Sequence, residues 1–241
     1  MTALPGAPTA PAARAAVAVA FCPVPPLLVP AVEGRPAPET IALRRACADA
    51  LAGMLAVRPE VVVVVGDGAE PGVRYGTGDA GDFRGYGLDL AVPFAGGTRP
   101  GSRRLPPAHT LGAWLLDEAG FAGLRVGVGP ADLGQLVRDL PGPVGILAMG
   151  DGSARRTVKA PGYLDEAAVP FDTAVAAALA AGDAAALAAL DEAQGARLLA
   201  AGVPAWRAVG DALAGREISG RLHLHDAPFG VGYLVADWVA A

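Results

Sequence analysis

The chain has 241 residues, 53% hydrophobic and 18% charged, with 19 Lys and Arg against 24 Asp and Glu and a net charge of −5. This balance excludes wholesale disorder, and it excludes a general binder of nucleic acid or of anionic membranes. At about 150 residues per domain, the length suits one α/β domain with a large core.

Residues 1–14 are rich in Pro and Ala, lack apolar periodicity and are expected to form a disordered tail, leaving 15–241 as the single domain. Ala16–Phe21 reads as a short strand that halts at Cys22-Pro23-Val24-Pro25-Pro26. The uncharged run from Ala15 to Val32 is long, but Pro23, Pro25, Pro26 and Pro30 would break a spanning helix. No A-x-A cleavage site follows a compact apolar region, so a cytoplasmic chain is expected.

Glu39–Val57 has helical spacing, and Val61–Val65 is an unbroken β-branched run suited to a strand buried on both faces. Gly66-Asp67-Gly68 closes that strand, and a Gly- and Asp-rich stretch reads as loop to about Gly87. Helices are expected over Leu111–Ala119 and Ala131–Leu140, with strands over Leu124–Val128 and Val144–Met149. Short Ala-rich helices follow across about 166–213, with Asp183 and Asp191 at N-cap positions. Two strand-like runs, Glu217–His225 and Gly230–Val235, close the chain. The pattern predicts an α/β fold: a mainly parallel central sheet with helices on both faces and its ligand site beyond the strand ends.

Four segments carry a resemblance. Phe21-Cys22-Pro23-Val24-Pro25-Pro26-Leu27-Leu28-Val29-Pro30, then Val61–Ala69, then Met149–Arg155, then Asp226-Ala227-Pro228-Phe229-Gly230-Val231-Gly232-Tyr233 occur in one order. In these the chain resembles the class III extradiol dioxygenases of the subunit-B-like branch, related to the β subunit of protocatechuate 4,5-dioxygenase and to the Memo proteins. The resemblance implies an Fe(II) site of two His and one carboxylate, which leaves positions open for substrate and O₂. Carried over residue by residue, the His ligands fall on Val24 and on or beside Gly68. The acid/base His falls on Ala154, and only Asp226 keeps a donor. A degenerate site with no bound cofactor is therefore expected, serving a small ligand or a partner. The alternative is an enzyme with a rearranged site in the same cleft.

Val24, Asp67, Gly68, Ser153, Ala154, Arg155 and Asp226 are expected to converge on that cleft; His109, just before a helix, either reaches the same cleft or is an ordinary helix-start residue. Asp151, Ser153, Arg155 and Arg156, with Lys159, follow a buried strand as a polar loop that could cradle a carboxylate or phosphate. A small anionic or aromatic ligand follows from this. The same loop could instead pair its Arg residues with acids such as Asp165 and Glu166. His223 and His225, at i and i+2, would share one strand face. They would then line a solvent-facing edge or, with Asp226, form a relocated metal cluster. Relatives associate, so a homodimer is a further expectation.

Overall fold

The computed structural model describes residues 15–97 and 99–241, so the expected N-terminal tail lies outside the described residues. A six-stranded mixed sheet is its spine, in the order β5-β2-β6-β1-β8-β7. Strands β1 (Val17–Cys22), β2 (Val61–Gly66), β5 (Leu124–Val128) and β6 (Val144–Met149) run parallel. Strand β8 (Tyr233–Ala240) pairs antiparallel with β1, and β7 (Ile218–Asp226) antiparallel with β8 at the edge. Every residue of β1, β2 and β6 is buried, as unbroken apolar runs demand when both faces are covered.

Helices α2 (Pro38–Leu55) and α3 (Pro107–Glu118) pack on one face, against Ala18, Ala20, Val62, Val64, Leu147 and Val235. Helices α4 (Pro130–Asp139), α5 (Ala168–Ala181), α6 (Ala184–Ala188) and α8 (Val203–Ala212) cover the other, over Val19, Phe21, Val63, Ile146 and Trp238. Asp183 and Asp191 do cap α6 and α7 (Glu192–Arg197), each accepting backbone N–H bonds. A one-turn helix α1 (Pro30–Glu33) precedes α2.

Three expectations change. The last strand, read as Gly230–Val235, begins at Tyr233 and runs on to Ala240. The stretch read as loop after β2 contains a small antiparallel pair, β3 (Ala80–Asp82) and β4 (Ala91–Pro93), around a 3₁₀ turn at Arg84–Tyr86. These strands are too short to show alternation. Helix α3 also starts four residues earlier than the apolar spacing suggested, because Pro107 supplies its first turn.

Candidate functional site

Chain connections leave the parallel strands on opposite faces: α2 and α3 on one, α4 on the other. Such a crossover opens a crevice at the carboxyl ends of the strands. Here a cleft of about 480 Å³ lies at the ends of β1 and β2, bordered by Val24 and Gly68. Phe83, Gly85 and Tyr86 come from the β3–β4 segment, and Pro106, Pro107, Thr110 and Leu111 from the start of α3. Tyr75, Leu105, Glu70, Asp82 and Arg104 complete it.

The segment bearing Val24 is held by side chains at its far end. Arg44 of α2 donates to the carbonyls of Leu28 (2.9 Å) and Leu27 (2.8 Å), and pairs with Glu33 of α1. At the near end Asp151 Oδ1 accepts the Val24 N–H at 2.7 Å. Gly68 adopts φ +82°, a left-handed conformation that strains any residue with a Cβ.

Asp151 stands two residues beyond the end of β6, part-buried, and among the described residues its one side-chain hydrogen-bond partner is that N–H. Burial pushes its carboxyl up to about 7, against the smaller lowering effect of the Val24 N–H. Tyr233 lies near enough that burial, and then the charge of Asp151, raise its phenol far above the ordinary value. Cys22 and Cys47 are free thiols buried close by. A hydrogen bond with Cys22, then burial, holds the Cys47 thiol well above its usual range.

The other sequence candidates disperse. Asp67 is exposed, accepts the Gly68 N–H at 2.7 Å, and borders a different groove with Leu199 and Val203. Ser153 is fully buried: its N–H meets Asp172 Oδ1 at 2.8 Å and its hydroxyl donates to the Leu198 carbonyl at 2.9 Å. Ala154 belongs to the same loop, its N–H bonded to the Leu198 carbonyl at 3.1 Å. Arg155 donates to the carbonyls of Gly162 (2.7 Å) and Arg197 (3.2 Å) and lies 3.6 Å from Asp165. Arg156 meets Asp172 Oδ2 at 2.7 Å. Both guanidinium groups are thus engaged within the fold, and Lys159 is exposed. Asp226 is exposed and accepts the N–H of its neighbour Ala227.

His109 lies inside α3, fully buried, rather than in the cleft. Its Nε2 bonds the Val128 carbonyl at 3.0 Å, its ring packs 5.4 Å from that of Tyr75, and Nδ1 has no hydrogen-bond partner among the described residues. Burial lowers its pKa to about 4, so the ring is a neutral backing for Tyr75.

His223 and His225 do not share a face. The β7–β8 register slips between Leu222 and Leu224, so His223 is the extra residue of a bulge. Leu222 then packs with the α5 side and Leu224 with the α2 side. His223 turns toward α2 and meets Asp237 Oδ1 at 2.5 Å, while His225 lies 3.4 Å from Arg156 on the α5 side. Neither the solvent-facing row nor the shared ligand cluster forms. Among the described residues, no group of three or more His, Cys, Asp or Glu is placed to hold a metal.

Sequence reasoning missed Tyr75, Phe83, Tyr86, Glu70, Asp82 and Arg104. Their clustering just beyond a buried strand, within a segment otherwise Gly- and Asp-rich, was the available signal. No family model matches the chain, and no curated protein matches it.

Proposed function

We propose that this chain is a small-ligand-binding α/β protein of the class III extradiol dioxygenase subunit-B-like kind, in which the cleft outlasts the iron chemistry. One observation carries the reading: a cleft of about 480 Å³ opens at the ends of β1 and β2, where two positions that would supply imidazoles are Val24 and Gly68. Neither side chain has a donor atom, and Asp226 is the exposed last residue of β7. This donor set does not fit a ferrous ion. The apolar and aromatic border suits a compact organic ligand. Two buried thiols without a disulfide agree with a reducing cytoplasm. Among the described residues, no helix is long and apolar enough to cross a membrane.

The test is ligand-detected NMR with a panel of small aromatic compounds, with and without a chelator, beside iron loading and a catechol turnover assay. Binding that survives the chelator is expected. Stoichiometric Fe(II) accompanied by ring-cleavage product would overturn the reading.

A second reading rests on Asp151, a part-buried carboxyl raised to about 7 and bonded to the cleft residue Val24. Such a group is poised for proton transfer near neutrality. An activity lost in Asp151→Asn, with an apparent pKa near 7 in its pH profile, would establish an enzyme in place of a binding protein.

A further inference from the structure

We infer that the cleft selects an organic cation: an ammonium group carried on a compact apolar body. This rests on the reading of the cleft as a ligand site and names the ligand's charge.

Three aromatic residues border the cleft: Tyr75 and Phe83 are buried, whereas Tyr86 is half exposed. The Phe83 and Tyr86 rings stand 6.2 Å apart at 45°. An aromatic face carries negative electrostatic potential, and each well-placed ring strengthens cation binding by a factor of about two to thirty. The charges around the rings have the same sense. Glu70 and Asp82 border the cleft, opposed by Arg104 alone. Arg104 already lies 3.4 Å from Asp82 Oδ1, which also accepts the Arg84 N–H at 3.1 Å. Glu70 is exposed; its backbone carbonyl accepts the Val73 N–H at 3.1 Å, and its carboxylate has no hydrogen-bond or ion-pair partner among the described residues. The cleft therefore carries an unopposed carboxylate beside its aromatic wall.

An anionic ligand would find one cation at the cleft, Arg104. Arg155 and Arg156 serve Asp165 and Asp172 instead, and Arg104 would have to leave Asp82. The net charge of −5 adds a field that favours cation approach.

Calorimetric titration of the full chain with benzyltrimethylammonium, phenylacetate and benzyl alcohol, at low and at physiological salt, tests the inference. Benzyltrimethylammonium should bind at least about tenfold more tightly than phenylacetate, with the advantage shrinking in salt. Glu70→Gln and Tyr86→Ala should each weaken it by about threefold or more. Arg104→Gln should tighten it by releasing Asp82, an effect opposite in sign to ordinary damage at a binding site. If benzyl alcohol matches the cation, or if phenylacetate binds best and Arg104→Gln abolishes that binding, the charge assignment falls while the ligand cleft stands. If none of the three binds, the cleft reading falls with it.

Discussion

Gly68 shows how one residue can close off one chemistry. Its φ of +82° leaves room for a Cβ only 3.3 Å from Pro106 Cβ, in a backbone region that costs an L side chain about 1–2 kcal/mol. Gly68→Ala should therefore lower stability by about 1 kcal/mol in urea melts without unfolding the protein. An unchanged midpoint would mean that this turn relaxes freely. A histidine at the same position would meet the same strain before it reached any metal. That Val24 and Gly68 carry no donor atom was legible in the sequence. The pairing of Arg155 with Asp165 was one of the two alternatives open in the sequence; its bond to the Arg197 carbonyl and the pairing of Arg156 with Asp172 were not legible, because those partners lie 42 and 16 residues away.

At the scale of elements, the fold was read well wherever burial imposed a period. Val61–Val65, Leu124–Val128 and Val144–Met149 coincide with β2, β5 and β6 within one residue. Reading failed where a single residue shifts the period. The bulge at His223 sends Leu222 and Leu224 to opposite faces, and nothing in Arg221-Leu222-His223-Leu224-His225 marks it. The bulge places His223 against Asp237, whose carboxylate lies 2.7 Å from where a Cβ on Gly53 of α2 would stand. Removing the imidazole leaves that part-buried carboxylate without its close partner. His223→Ala should therefore cost about 1–2 kcal/mol in chemical denaturation. Asp237→Asn should recover part of the loss in the double variant, since a neutral amide is cheaper to bury than a carboxylate. Additive losses would instead show that the pair is not coupled.

Across the whole molecule, buried titrating groups of opposite sign share one pH window. Two carboxyls, Asp151 and Asp172, are raised chiefly by burial, and two imidazoles, His109 and His225, are lowered chiefly by burial. A carboxyl raised on folding contributes stability that is fully present below its unfolded pKa and is lost as pH rises through its folded pKa. For Asp151 that window runs from the ordinary value of 3.8 to about 7. An imidazole lowered on folding behaves in the reverse sense. For His109, stability falls as pH drops from 6.5 toward about 4. The two shifts correspond to about 4 and about 3 kcal/mol at most. Between about pH 4 and 6.5 they oppose each other, so the intact protein should show a shallow stability profile there. Asp151→Asn keeps an oxygen to accept the Val24 N–H and removes one side of this balance. The variant should match the parent near pH 4, exceed it at pH 8, and lose stability steeply as the solution is acidified below 6.5. Urea unfolding across that range reads all three features. A constant offset between parent and variant at every pH would mean that Asp151 titrates in the folded protein as it does in the unfolded chain, and that its carboxyl is better hydrated than its position behind Val24 implies.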